Sequence, residues 1–159
     1  MAIDNFLKLD GIEGEATQRD HRGEIELLSW SWGMSNETPA GGGGGGAGSG
    51  RAKAQSLLLV HRYDKASPVL LRFAATGRHV ANAALSARRS GAGTRDFLKI
   101  TLKEVLVTGI QMADNGDGPV EQITLSFGEI GFDYTPQTAR GGAGTPVKVN
   151  WNVRTTQVT

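Results

Sequence analysis

The 159-residue chain contains no cysteine, which excludes disulfide scaffolds, thiolate zinc sites, iron–sulfur clusters and a cysteine nucleophile. It has almost no excess charge, with 17 Lys and Arg against 16 Asp and Glu, so no overall field would attract nucleic acid or anionic lipid. Long hydrophobic runs are also missing. The longest aliphatic stretch, residues 57–60, is far shorter than the ~20 residues that span a bilayer. We therefore expect neither nucleic-acid binding nor membrane insertion.

The first ten residues lack the apolar run that an export signal needs, because charged residues interrupt them. We expect a protein that is made in the cytoplasm without a signal peptide. A chain of ~150 residues can bury about 70% of its unfolded surface. The sequence therefore predicts one domain over residues 1–159 with its own hydrophobic core.

Glycine is abundant, and eight of the 23 glycines fall within residues 41–50. Such a run buries no apolar area and loses much backbone entropy on ordering, so it predicts a long Gly-rich loop at about residues 35–53 inside the domain. Gly45 and Gly50 have phosphate-loop spacing. However, Arg51 and Ala52 follow where that motif needs Lys and Ser or Thr, and no strand precedes. The spacing is therefore not interpreted as a nucleotide site.

Most of the remaining chain alternates apolar and polar residues with the period of a β-strand. The clearest strands are residues 147–154 and 98–106, the latter with Leu98, Ile100, Leu102 and Leu106 on one face. The alternation changes phase near Leu28 and near Gly128, which indicates β-bulges of the kind found in barrels and tight sandwiches. A hairpin turn is predicted at residues 114–118.

One helix is predicted at about residues 67–76. Ser67 can cap it, Pro68 suits the first turn, and Gly77 ends it. The sequence thus predicts an all-β framework with one short α-helix packed on it.

The chain shows no catalytic constellation. His21, His61 and His79 lie far apart and without metal-ligand spacing, so each is expected to be structural. The acidic pairs Glu13/Glu15 and Glu24/Glu26 are typical of a solvated strand face. Trp30 and Trp32 would stand on one face of a strand, either as an exposed ligand platform or in the core, and Leu28 in line with them favours the core. We predict no catalytic residue, metal or cofactor.

Several ordered motifs nevertheless resemble one family. They are FLKLDGIEGE at residues 6–15, HRGEIELLSWSWG at 21–33, DKASP at 64–68, ATGRH at 75–79, ALSARRSG at 84–91, LKITL at 98–102 and FGEIGFDYTP at 127–136. Together they resemble the hemolysin-coregulated protein (Hcp) family, the tube proteins of bacterial type VI secretion. The residues taken as the structural motif are Gly11, Gly14, Gly23, Ser29, Trp30, Trp32, Gly33, Ser67, Pro68, Gly77 and His79.

The resemblance implies a mainly β fold, a small β-barrel of two packed sheets with one short α-helix on its flank. It also implies a non-enzymatic subunit that forms a homohexameric ring. Such rings stack into a hollow tube, which a contracting sheath expels beneath a spike protein, to the exterior or into a target cell. Small effector proteins can be carried in the lumen. In the family, the long loop between early strands reaches the next ring, so the candidate ring-stacking residues here are Glu37, Pro39, Gly45, Arg51 and Lys53. We expect this loop to become ordered only on stacking.

Two alternatives stay open on the sequence alone. The first is a monomeric barrel or sandwich that binds a carbohydrate or other small ligand through Trp30 and Trp32. The second is a hydrolase that uses the acidic pairs. The mass in solution and the effect of Glu→Gln changes would separate these from a ring-forming protein.

Overall fold

The structure, a computed structural model, describes residues 2–37, 51–91 and 95–159. Eleven strands and one α-helix are present in these ranges. In chain order they are β1 (Ile3–Leu9), β2 (Ile25–Ser31), β3 (Met34–Glu37), β4 (Arg51–Ala54), β5 (Leu57–Arg62), α1 (Ser67–Thr76), β6 (His79–Arg89), β7 (Asp96–Asp114), β8 (Pro119–Ser126), β9 (Glu129–Tyr134), β10 (Val147–Asn152) and β11 (Gln157–Val158). A short 3₁₀ turn, Arg19–His21, lies between β1 and β2.

The strands form one nine-stranded sheet with the order β11-β10-β9-β7-β6-β1-β2-β5-β8, and β3 and β4 form a separate ribbon. An additional pairing between β7 and β8 closes six of the nine strands into a barrel. Every pairing is antiparallel. The predicted mainly β fold, with a barrel and one flanking helix, is confirmed.

Strand β7 makes the closure, because its first half pairs with β6 and its second half with β8. Between the halves, Glu104 has a φ of +54°, which bends the strand and reverses the inward face. As a result, Val105 and Val107 enter the core, whereas the sequence pattern placed Leu106 there. That assignment was wrong, because residues 105–107 are all apolar and the sequence alone does not show which of them face inward.

The two predicted phase changes both occur in the structure. In β2 the register against β5 shifts between Leu27 and Ser29, which confirms the bulge. At residues 127–128 the chain breaks into β8 and β9, which continue along β7 on the two sides of its bend. The second feature is thus a strand break and not a simple bulge.

Helix α1 has the predicted bounds, and Gly77 ends it in the left-handed conformation with a φ of +66°. The N-cap is Ala66 and not the predicted Ser67, whose hydroxyl instead accepts a hydrogen bond from the Asp64 amide at 3.1 Å. Leu70 and Phe73 are buried under the helix. None of the described residues forms a helix that is long and apolar enough to cross a membrane.

The core fills the barrel and the space beneath α1. It is aliphatic, as expected from inward positions of alternating strands. Its largest fully buried apolar side chains are Leu7, Ile25, Leu57, Leu59, Leu70, Leu85, Ile100, Leu102, Ile123, Leu125 and Ile130.

Candidate assembly surfaces

Strands β9 and β10 extend the sheet beyond the barrel. The sheet face that points into the core within the barrel continues across these two strands. Residues directly opposite each other in a sheet share a face. Ile100 is fully buried, and the residues that continue its row, Phe132 and Val149, are progressively more exposed. The next row consists of Leu98, Tyr134 and Val147. The apolar face therefore runs out of the barrel into solvent.

We call the exposed end of this face the edge patch. Its members, Tyr134, Val147, Val149 and Val158, have exposed fractions between 43% and 67%. The outer side of β10 is covered only in part, because β11 pairs with Trp151 and Asn152, and Asn150 exchanges hydrogen bonds of 3.1 and 2.9 Å with Thr159. No strand of the described chain pairs with the outer side of residues 147–149. Unpaired apolar edges of this kind are association sites.

The β3–β4 ribbon occupies the two ends of the segment predicted as a loop over residues 35–53. Glu37 lies opposite Arg51, and Lys53 reaches Glu37 at 3.5 Å in an exposed ion pair, which contributes little stability. The loop prediction was therefore wrong at these flanks, because cross-strand pairing organises them as a ribbon. The other two predicted stacking residues, Pro39 and Gly45, lie outside the described residues.

Trp30 and Trp32 are partly buried, and each indole N–H is used within the chain. Trp30 donates to Asn5 Oδ1 at 3.1 Å, and Trp32 donates to the carbonyl of Gln55 at 2.8 Å. The ring of Trp32 packs on Phe132 at 5.2 Å between centroids. The prediction that these residues belong with the core is correct for the tryptophans but wrong for Leu28, which is 48% exposed. The bulge at Leu28 explains the difference.

Four motif glycines serve the backbone. Gly11, Gly23 and Gly77 have positive φ angles of 81°, 81° and 66°, which side chains disfavour. Gly14 has ordinary φ, but a Cβ there would lie 2.5 Å from the carbonyl oxygen of Glu24. It holds residues 14–16 against residues 23–24 through amide hydrogen bonds.

The other motif residues differ in burial and in the contacts that they make. The carbonyl of Gly33 accepts from the Gln55 amide at 2.9 Å and so fixes the base of the ribbon. Ser67 is buried at the start of α1, whereas Ser29, Pro68 and His79 are exposed. The structure does not bring the motif residues together into one site.

His21 is buried at the end of the 3₁₀ turn, and its ring stacks on Phe6 with 4.5 Å between the ring centroids. Its Nδ1 lies 3.0 Å from the carboxylate of Glu24, and its Nε2 lies 2.9 Å from Asp96 Oδ1. Arg88 reaches the same Asp96 oxygen at 3.6 Å. This cluster fastens the 3₁₀ turn to the start of β7, in keeping with the structural role expected of this histidine.

His61 and Glu121 form a pair inside the barrel that the sequence analysis did not anticipate. Their side chains are 0% and 1% exposed, and His61 Nε2 lies 2.8 Å from Glu121 Oε1. His61 Nδ1 has no hydrogen-bond partner among the described residues and lies 3.8 Å from Asp64 Oδ1. Burial raises the pKa of Asp64 above its usual 3.8, and His61 and the Ala66 amide oppose this rise.

The raised pKa of Asp64 predicts that Asp64→Asn stabilises the fold at neutral pH. A carboxyl with a higher pKa when folded loses stability as the pH rises from 3.8 through the folded value. Asparagine never acquires that charge, and its Oδ1 can still accept from the Ala66 amide. We expect Tm to rise by at most about 2–4 °C at pH 7, equivalent to ~1 kcal/mol, and to match the parent at pH 3. Thermal unfolding at both pH values measures this, and an equal rise at pH 3 would contradict it.

The sequence and fold match known proteins along the whole chain. Residues 6–134 match the family model described as "Type VI secretion system effector, Hcp". The chain belongs to the Hcp family. One curated relative, protein hcp1 of Pseudomonas aeruginosa, is 45% identical over 158 residues, and the match covers 97% of each chain.

Solved Hcp-type structures share the architecture. A structure titled as a type six secretion system protein has a TM-score of 0.92 at 28% identity, with 99% of this chain and 100% of that chain covered. Hcp1 from Salmonella typhimurium has a TM-score of 0.81 at 28% identity, with both chains covered completely. A type VI secretion system effector from Yersinia pestis has a TM-score of 0.77 at 29% identity, covering 94% of this chain and 99% of that chain. Hcp proteins are structural, secreted proteins and not an enzyme family.

Proposed function

We propose that this Hcp protein is a non-enzymatic structural subunit of the type VI secretion tube. Six copies close into a ring, rings stack into a hollow tube, and sheath contraction expels the tube to the exterior or into a target cell. The contractile sheath, the spike protein and small effector proteins in the lumen are its further partners. The observation that carries the proposal is the edge patch, an apolar sheet face and an unpaired strand edge that a monomer leaves in water.

In a ring, the edge patch of each copy can be buried without contacting the edge patch of another copy. In a ring the contact is heterologous, so the edge patch of one copy meets a different surface of the next copy, and six such contacts close. The exposed apolar side-chain area that this contact would bury belongs mainly to Tyr134, Val147, Val149 and Val158. A stable contact requires about 1,000 Å² or more in total, so the neighbouring polar rim takes part as well.

A charge in the edge patch should open the ring without unfolding the subunit. Val147 is 67% exposed, so Val147→Asp costs the isolated fold little, whereas in a ring it would bury an unpaired carboxylate. We expect the mass in solution to fall from six copies of the 16.8 kDa chain to one. Light scattering after gel filtration measures the mass, and negative-stain electron microscopy should show six-fold rings only for the parent.

The matched control is Leu71→Asp on α1. Leu71 is 58% exposed and lies outside the edge patch, so this variant carries the same new charge and should keep the ring. A parent protein that is monomeric at all concentrations would contradict the ring and favour a monomeric ligand-binding barrel. If Val147→Asp still forms rings, the proposed ring stands, but the proposal that the edge patch forms its contact is contradicted.

The β3–β4 ribbon is the proposed ring-stacking element. It stands apart from the barrel sheet, it is exposed along nearly its whole length, and it carries Glu37, Arg51 and Lys53. The pairing of Gly33 and Trp32 with Gln55 holds its base. A ribbon with a fixed base can project toward a neighbouring ring at less entropic cost than a free loop.

A further inference from the structure

A preformed cleft lies between the start of β7 and the segment that joins β9 to β10. It has a volume of about 430 Å³ and is lined on one side by Arg89, Arg95 and Phe97, and on the other by Pro136, Gln137 and Gly144. It shares no residue with the edge patch or the ribbon. It adjoins the edge patch, because its lining residues Thr135 and Pro146 are chain neighbours of Tyr134 and Val147.

The cleft presents two cations without a countercharge of their own. Among the described residues, no carboxylate lies within ion-pair distance of the Arg89 or Arg95 guanidinium. Asp96 also lines the cleft, but its Oδ1 lies 2.9 Å from His21 Nε2 and 3.6 Å from Arg88 Nε. Its charge is thus already shared with two other groups. The charged residues that line the cleft, two arginines and one aspartate, carry a net charge of +1.

Arg89 is also held in place. Its guanidinium lies over the ring of Phe97 at 5.0 Å from the centroid, and such stacking restricts the side chain while leaving its N–H edge available. Arg95 is exposed and comes one residue before β7. A planar guanidinium with a fixed orientation favours a planar acceptor that can take two parallel hydrogen bonds, as a carboxylate does.

Backbone hydrogen bonds connect the parts of the opposite wall. Gly144 N donates to the Pro136 carbonyl at 2.7 Å, and Thr138 N donates to the Gly142 carbonyl at 2.8 Å. A Cβ on Gly144 would lie 3.0 Å from Pro136, so the two sides of this wall are in close contact. Thr135 N donates to the Phe97 carbonyl at 2.8 Å and attaches the wall to β7. A ligand would find the cleft already formed, which lowers the cost of binding.

We propose that this cleft binds a carboxylate group, with Arg89 and Arg95 as its anchors and Phe97 and Pro136 as its apolar walls. A single negative charge suits it better than a phosphate dianion, because Asp96 sits in the same cleft. The carboxylate can belong to an acidic side chain of another protein or to a free small acid. The volume accommodates a side chain together with its neighbouring backbone.

Isothermal titration of the assembled, full-length protein with three probes tests the proposal. The probes are a capped peptide with two adjacent glutamates, the same peptide with two glutamines, and succinate. We expect the glutamate peptide to bind and the glutamine peptide not to bind. Tighter binding of the peptide than of succinate identifies a protein segment as the ligand source, and the reverse order identifies a free acid.

Charge-removing variants locate the site. Arg89→Gln and Arg95→Gln should each weaken carboxylate binding about tenfold or more, the size expected for losing a charged hydrogen-bond partner. Arg72→Gln on α1 removes the same charge elsewhere and should leave binding unchanged. Because Arg95 is exposed, its variant tests the site even where loss of the Arg89 stack alters folding. Inorganic phosphate serves as a fourth probe. Equal binding by all three variants, equal binding of both peptides, or tighter binding of phosphate than of the glutamate peptide and succinate would overturn the proposal.

Discussion

Gly14→Ala is expected to destabilise the subunit by about 3 kcal/mol, because the new methyl group has no space and its neighbours are backbone atoms. It would lie 2.5 Å from the carbonyl oxygen of Glu24, 2.7 Å from its carbonyl carbon and 2.8 Å from Cα of Ile25. A side chain could rotate away, but this backbone belongs to the entry into β2, which lies in the barrel wall. For a chain of this size the loss lowers Tm by roughly 6–12 °C.

Gly142→Ala is the matched control for this steric effect. It also has ordinary φ, and its added methyl group would have Thr138 Oγ1 as its nearest neighbour at 3.4 Å, which is an ordinary van der Waals distance. Its Tm should stay within about 2 °C of the parent, or rise slightly through the restricted unfolded chain. Scanning calorimetry at one fixed protein concentration gives both values. Equal effects of the two substitutions would contradict a steric role for Gly14.

Breaking the pair inside the barrel should have an effect of similar size. In His61→Leu the Glu121 carboxylate, 1% exposed, loses its 2.8 Å partner and stays in an apolar interior formed by neighbours such as Leu59 and Ile123. Removal of one member of a buried pair costs about 3–5 kcal/mol. We expect the midpoint of urea unfolding to fall accordingly, with little change in its slope.

The double variant His61→Leu/Glu121→Leu distinguishes a lost hydrogen-bond partner from lost packing. With both polar groups replaced by apolar ones of similar size, no unpaired buried polar group is left, so the double variant should be more stable than His61→Leu alone. All variants need the same protein concentration, because assembly raises apparent stability. A double variant whose loss equals the sum of the two single losses would show that the pair is not coupled.

The elements that sequence reasoning predicted well are those with local causes. Pro68 and Gly77 set the bounds of α1, since each restricts or permits a backbone conformation by itself. The phase changes near Leu28 and Gly128 also mark real irregularities. Both could be detected in the sequence, because a shift of one residue moves every later apolar side chain to the other face of the strand.

Other features depend on contacts distant in sequence. His61 and Glu121 are 60 residues apart and meet only because β5 pairs with β8. A signal did exist, since His61 follows Leu57 and Leu59 on one face, and Glu121 precedes Ile123 and Leu125 on one face. A polar residue at an inward-facing position of a strand indicates that it has a buried polar partner. The pattern does not show which residue that partner is.

The edge patch could not be predicted for a different reason. Alternation in residues 147–154 correctly indicates an apolar face, but the period does not say whether anything covers that face. Coverage depends on how far the barrel extends beneath β9 and β10. The cleft beside Arg89 likewise needs the tertiary placement of residues 135–146 against Phe97.

The position of the overhanging strands in the chain has a consequence for synthesis. Barrel closure needs β8 to pair with β5 and β7, and β9 and β10 follow β8 in sequence. A ribosome releases the chain from its N-terminus, and domains fold as units. The edge patch therefore emerges only after all six barrel strands have been made. A truncated chain that ends before β9 lacks the edge patch, which is one of the two surfaces that the proposed ring contact needs, so a ring that included such a chain would not close.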